Sequence, residues 1–501
     1  MKKTYGKFVS VVLCVLIALF GLLSTACGKN KLQPIDENNK NYTVTEKGTP
    51  EKYESLYYDF LGGRDVMPIG GFFGPYIPHT PSVNGQILPD YITDDIYRKI
   101  ADCGINAIVQ YNSATDLVTK RNLALGEKYG VGLFAPSEYI NDLMKDGLNG
   151  VGQVPQYDDY FDSARLASDM AEFAEYDSFL GLHLRDEPFV FHAGIAKRIM
   201  EEYNALGYEN RSVFMNLLGY SKSSNIYTMY ESVTKGDDYY HLYLDDVNVP
   251  MVSSTAYPFD NPTEARLQGH FETMCVQREM GIKYGRPWWR MMQAGSQWND
   301  AGAWMKSAEN PFPYEGETIW DINMALAFGA KGISFFPLIQ PEWFARAEGG
   351  TYDFDRNGVI AADGSPTRWY YYIQKALKQV KAIDHILMNS ASMGMIAHGE
   401  ISQRLAAGTA DAPNKGIIED GKFRQLESVS GGDAIVGCFD FKGGTALYVV
   451  NMSTSEKQKT TLDFNGNYGY DITQRAKVVS VSGKSVTLTL EAGEGVMIVL
   501  R

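Results

Sequence analysis

Residues 179–189 read FLGLHLRDEPF. An apolar run stops at Asp186-Glu187-Pro188. Side chains along a strand alternate between the two faces of its sheet. Strict alternation puts Leu180, Leu182 and Leu184 on one face, toward covering helices. Gly181, His183, Arg185 and Glu187 then fall on the other face. Pro188 ends the ladder because it has no N–H to donate. Two adjacent carboxyls at the end of a buried strand are unfavourable unless a partner or a reaction uses them.

The surroundings of this strand repeat its pattern. Further short apolar runs are VMPIGGFF (66–73), INAIVQYN (105–112), VGLFAPS (131–137), SVFMNLLG (212–219), VPMVSST (249–255), PWWRMMQA (287–294) and GISFFPL (332–338). Helical stretches such as TDDIYRKIADCG and AGIAKRIMEEYNALG separate them, and many end in glycine, a helix-stop signal. Eight strand–helix units predict a (β/α)8 TIM barrel over residues 56–392. A doubly wound open sheet is the rival, but no Gly-rich phosphate loop follows the first strand. After about residue 390 the text changes to short β runs (AIVGCFDF, TALYVVNMS, KTTLDFN, SVTLTLEA, GVMIVL) with turn residues between them. These predict an all-β sandwich over 393–501.

The start of the chain bears on location. Lys2, Lys3 and Lys7 precede an apolar stretch from Phe8 to Leu23, then small residues and Cys27. This predicts a signal peptide over residues 1–26, since the apolar run is shorter than the roughly 20 residues a membrane span needs. Cys27 after small residues resembles a bacterial lipobox, with Ser24 where leucine is expected. Cys27 is therefore the expected lipid attachment site, followed by a polar linker over 27–55. The expected place is the outer face of a bacterial cell membrane, reached through that anchor only. The net charge of −14 excludes nucleic acid as a partner. Cys103, Cys275 and Cys438 are scattered and give no disulfide or zinc framework.

In a barrel, active groups gather where strands end. Glu187 is the last lumen-facing group of the fourth strand. That strand resembles the fourth strand of clan A glycoside hydrolases, whose acid/base glutamate sits in an Asn-Glu-Pro turn; here Asp186 stands for Asn. VPMVSSTAYP (249–258) resembles the clan's sixth strand, with Tyr257 where a site tyrosine is expected. The resemblance implies a retaining glycosidase that uses two carboxylates. A carboxyl in a partly dry mouth beside Asp186 has its proton affinity raised, as a proton donor requires. The alternative is a structural ion cluster around Arg185. The clan's nucleophile would end strand seven, where Gln293 stands instead. Glu317 and Glu315, at the start of the next helix, are the candidates, and either is equally a helix-start acid. Asp186-Glu187 also resembles the acid pair of hexosaminidases that use the substrate's acetamido group as nucleophile. Strict alternation speaks against that, since it turns Asp186 toward the helices.

Sugar sites combine aromatic faces with hydrogen-bonding side chains. Trp289, Trp298 and Trp343 are the candidate platforms. His183, Arg185, Tyr257, Asn112, Asn216 and Gln293 are the candidate polar contacts. DFDRNGVIAADG (353–364) resembles the opening of an EF-hand loop but has Gly364 where the last acidic ligand belongs. A polar turn is the better reading, and the proposed chemistry needs no metal or cofactor. The expected function is an extracytoplasmic glycoside hydrolase acting on a carbohydrate substrate. The alternative is a non-catalytic carbohydrate-binding lipoprotein.

Overall fold

The structure is a computed structural model. It describes residues 56–79, 82–83, 86–110, 114–144, 161–208, 210–220, 236–259, 264–295, 313–342, 357–408 and 414–501. Eight parallel strands alternate with helices. They are β1 (Ile69–Phe72), β2 (Ala107–Val109), β3 (Gly132–Ala135), β4 (Phe179–Asp186), β5 (Ser212–Asn216), β6 (Val252–Thr255), β7 (Trp288–Gln293) and β8 (Gly332–Phe336). Each pairs with the next except β5 with β6, and β8 returns to β1. The seam between β5 and β6 closes through a parallel bridge from Leu217 to Ser254, where Leu217 N–H donates to Ser253 O at 2.8 Å. The sheet is thus a closed barrel, as the strand–helix alternation predicts.

The helices α1 (Asp94–Cys103), α2 (Asp116–Tyr129), α3 (Glu138–Leu143), α4 (Ser163–Ala174), α5 (Ala193–Ala205), α6 (Gly236–His241), α7 (Glu264–Tyr284), α8 (Glu315–Ala327) and α9 (Arg368–Met388) surround it. Local chemistry sets their ends. Thr93, Thr115, Ser137, Asp162 and Thr367 cap the first turns of α1 to α4 and α9 with side-chain oxygens. Gly104 ends α1 in the left-handed conformation that a Cβ disfavours.

Aromatic rings fill the lumen. Trp289 packs edge-on against Phe134 at 5.8 Å and Phe214 at 5.7 Å, and His183 meets Phe72 at 5.5 Å. Such a large side chain fits because its neighbour on β8 is glycine: a Cβ on Gly332 would lie 2.4 Å from the Trp289 indole. The interior is a packed core with no room for a pore.

From Ser390 the chain forms an antiparallel domain. Its strands are β9 (Ser390–His398), β10 (Leu426–Gly431), β11 (Ala434–Phe441), β12 (Gly444–Asn451), β13 (Gln458–Gln474), β14 (Lys477–Leu490) and β15 (Gly495–Leu500), with one helix, α10 (Glu400–Ala407). The first half of β13 pairs with β10 and the second half with β15. The sheet therefore folds over a core of its own, including Leu447, Val449, Leu462 and Ile498. This is the expected sandwich, entered two strands before the first β run of the sequence, AIVGCFDF. It is fastened to α8: Asn323 donates to Gly493 O at 2.8 Å and accepts from Tyr448 Oη at 2.6 Å, both buried.

Candidate functional site

The carboxyl-bearing end of β4 departs from strict alternation. Against β5, His183 aligns with Phe214, but the next aligned pair is Arg185 with Met215. Leu184 is the extra residue of a β-bulge, and a bulge reverses the facing of the residues beyond it. Asp186 therefore aligns with Asn216, and its carboxylate turns to that side chain: Asn216 Nδ2 donates to Asp186 Oδ1 at 3.0 Å. The expectation that Asp186 faces the helices is corrected by this one-residue insertion. Glu187 comes next with φ +46°, a left-handed conformation unusual for a residue with a side chain. Its N–H donates to Asn216 O at 2.8 Å. Such backbone strain persists only where the surroundings hold it, and it concentrates at functional sites. Here α6 and the turn after it supply the restraint. Tyr239 Oη donates to Pro188 O and Tyr243 Oη to Phe189 O, each at 2.6 Å.

Asp186 is joined to the ends of β5 and β6. Asn216 Nδ2 also donates to Thr255 Oγ1 at 2.7 Å, and Ser253 Oγ donates to Asn216 Oδ1 at 3.0 Å. The Thr255 hydroxyl lies near enough to Glu187 to lower its proton affinity. Burial pushes the Asp186 carboxyl up to about 7, and the charge of Glu187 adds to this; Asn216 and Arg185 oppose it. Glu187 is raised too, by burial, with the Thr255 hydroxyl opposing. The pair is therefore suited to keep a proton well above the ordinary carboxylate range.

The raised Asp186 value makes stability depend on pH. The fold holds the Asp186 proton more tightly than the unfolded chain does. Its contribution is complete below the ordinary aspartate value, about pH 4, and is lost as pH rises through about 7. The thermal midpoint of the wild type should fall over that window relative to Asp186→Asn. A pH series of melting curves on the two proteins checks it; parallel curves would show that Asp186 titrates normally.

Other expected site residues separate into groups. Tyr257, just past β6, is half-buried and stacked on Phe336 at the end of β8, with centroids 6.1 Å apart. Both residues follow or end strands at the C-terminal end of the barrel. Asn216 is a buried link between Asp186 and Thr255. Arg185 lies near enough to Asp186 to lower its proton affinity. His183 is no sugar contact: it is fully buried in the lumen, its Nδ1 is 2.6 Å from Gln110 O, and burial lowers its pKa to about 4. Trp289 is likewise barrel core, with no face for a ligand. Gln293 serves the backbone, accepting from Phe259 N–H at 3.1 Å and donating to Gly295 O at 3.0 Å. Asn112, Trp298, Trp343 and Cys27 lie outside the described residues, as do the first four residues of the EF-hand-like loop, 353–356. Among the described residues no group of three acidic, histidine or cysteine side chains could hold a metal.

Glu317 is a helix cap. Its Oε2 accepts from Tyr314 N–H at 2.7 Å, closing the first turn of α8. Glu315 pairs with Lys375 at the surface, 2.5 Å away. The nucleophile expected at Glu317 is thus engaged with the start of its own helix. Glu317→Ala should cost about 1 kcal/mol of stability. Glu317→Gln, which keeps an acceptor, should retain turnover. Denaturation and assay of both variants check this; a collapse of turnover in a folded Glu317→Gln would restore the nucleophile.

Ser253, Thr255 and Phe336 were not among the sequence candidates. The signal for the first two was present: alternation along VSST puts Ser253 and Thr255 on the lumen side.

The fold and mouth define the class: a (β/α)8 barrel followed by an antiparallel β domain, with an acidic pair at the C-terminal end of the fourth strand. No family model matches the chain, and no curated protein matches it in sequence. Among solved structures, it is similar to a GH27 β-L-arabinopyranosidase from Geobacillus stearothermophilus (10% identity, 88% of this chain and 98% of that one, TM-score 0.46). It is similar to a maltogenic α-amylase from Thermotoga neapolitana (9%, 87% and 99%, 0.44). An endo-β-1,4-mannanase from Thermotoga petrophila gives 13%, 86% and 99%, with a TM-score of 0.39.

Proposed function

We propose that this chain is an extracytoplasmic glycoside hydrolase that cleaves an oligo- or polysaccharide, using Glu187 as proton donor. The observation that carries the reading is the coupled pair Asp186 and Glu187 at the barrel mouth, both held above ordinary carboxylate values. A glycosidic oxygen leaves poorly as an alkoxide. Glu187 passes its proton to that oxygen as the C–O bond breaks and the bonding electrons move onto it. The oxygen of an incoming water bonds to the anomeric carbon, and the Glu187 carboxylate left behind takes its proton. Tyr257 and Phe336 offer a face for the apolar side of a sugar ring. The basic-then-apolar start of the chain and Cys27 support export and lipid anchoring.

A second reading has an observation in its favour. The bulge at Leu184 brings Asp186 into line with Asn216, which removes the objection to an acetamido-assisted route. On that route the substrate's acetamide oxygen attacks the anomeric carbon while Asp186 accepts from its N–H. That route retains the anomeric configuration. The test is incubation with glycans that have or lack a 2-acetamido group, with product anomers monitored by NMR. A retained anomer from any substrate supports the hydrolase, and cleavage confined to acetamido sugars selects the second route. Tight calorimetric binding with no product after long incubation would leave a carbohydrate-binding protein instead.

A further inference from the structure

Arg290, in the middle of β7, is fully buried, and alternation with the lumen residue Trp289 turns it toward the helices. Taking a guanidinium out of water is costly unless partners meet its donors. Nη1 donates to Gln277 Oε1 on α7 at 3.2 Å. Nη2 donates to Ala256 O at 2.7 Å and to His270 Nδ1, also on α7, at 2.5 Å. A guanidinium only donates, so His270 Nδ1 accepts and the imidazole hydrogen sits on Nε2. That nitrogen faces Asp321 Oδ1 on α8, 3.1 Å away. Burial and the charge of Arg290 lower the proton affinity of His270, in keeping with a neutral ring between two charges. Asp321 and His270 are each 2% exposed, so bulk water does not compete for these contacts.

The contact to Ala256 bears on the mouth. Ala256 leads directly into Tyr257, whose ring stacks on Phe336. The far end of the same turn is held too, where Phe259 N–H donates to Gln293 Oε1 at 3.1 Å. Phe259 packs edge-on against Trp320 at 5.8 Å, and Trp320 lies against His270 at 5.6 Å. Two side chains of β7, Arg290 and Gln293, therefore bracket residues 256–259. Tyr257 lies past the end of β6, so the turn and not the ladder decides where its ring stands.

We propose that Arg290 is a positioning residue for Tyr257: buttressed by His270 and Asp321 behind β7, it grips the Ala256 carbonyl and so sets the turn that brings the tyrosine ring to the barrel mouth. Arginine suits this task because one of its nitrogens serves the carbonyl and the imidazole together. The value of Tyr257 to a sugar rests on the function proposed above; its placement by Arg290 can be tested without turnover.

The experiment uses the full chain with 3-fluorotyrosine at position 257 alone, monitored by 19F NMR. It compares wild type with Arg290→Met, His270→Leu, His270→Gln and Leu447→Ala. Methionine fills much of the arginine volume but has no donor. Leucine removes the acceptor for Arg290, whereas glutamine offers an acceptor to Arg290 and a donor to Asp321. Leu447 lies in the separate core of the β domain, so its truncation lowers stability without touching the turn. The fluorine resonance should move in Arg290→Met and His270→Leu and return to the wild-type position in His270→Gln. It should stay in place in Leu447→Ala. On whichever 4-methylumbelliferyl glycoside the wild type cleaves, Arg290→Met and His270→Leu should raise KM about fivefold with kcat little changed, as loss of one aromatic contact would. If Arg290→Met does not fold, the two His270 variants decide. A resonance unmoved in a folded Arg290→Met or His270→Leu overturns the proposal. So does one that His270→Gln leaves displaced, or that Leu447→Ala displaces equally. If no glycoside is cleaved but the resonance moves as stated, the hydrolase reading falls and the positioning by Arg290 stands.

Discussion

Replacing Glu187 by Gln is expected to lower kcat/KM on the glycan substrate about 10³-fold, within the range that loss of a general acid produces. Glutamine keeps the shape but has no proton to give. The substitution also removes a charge that raises Asp186, so the remaining aspartate should return toward ordinary behaviour. Stability should not fall, because a carboxyl partly excluded from water becomes a neutral amide. Circular dichroism and a melting curve establish folding, and steady-state kinetics give the loss. A folded variant with full activity would remove Glu187 from the chemistry.

The largest stability effect is expected at Gly181. Its φ is +140°, and a Cβ there would lie 1.7 Å from the carbonyl oxygen of Ser212 on β5. No side-chain rotation relieves a clash between a Cβ and neighbouring backbone. Gly181→Ala must separate β4 from β5 or force the chain out of its conformation, and either breaks the ladder that carries Asp186 and Asn216 to the mouth. The cost should exceed about 4 kcal/mol, in the exceptional range for one substitution. Denaturant titration beside Gly194→Ala, a site where a Cβ meets nothing within 4 Å, provides the contrast. Equal midpoints for the two variants would show that β4 does not take this path.

The barrel was legible because its strands are near-continuous apolar runs spaced by helices with clear stop signals. Each of the eight expected runs overlaps an observed strand. Facing within β4 was legible only as far as His183. The bulge depends on how β5 aligns beside it, and that alignment has no signature in FLGLHLRDEPF. Trp289 shows a second limit. A tryptophan near a strand end reads as a sugar platform until Gly332 is known to lie opposite and make room for it in the lumen. Glu317 was readable both ways, and its spacing from Tyr314 matches the cap the structure shows. Asn216 was legible as a polar strand end, but its partners lie on other strands and only the fold brings them together.

The central claim is that Glu187 hands its proton to the departing sugar oxygen. The most direct measurement is kcat/KM against leaving-group acidity for aryl glycosides, in wild type and Glu187→Gln. If Glu187 supplies the proton, the wild type should depend weakly on the leaving group. The variant should depend steeply, approaching wild-type rates for the most acidic phenols, which depart without help. Parallel lines for the two proteins, or a variant equally impaired on every phenol, would contradict the account.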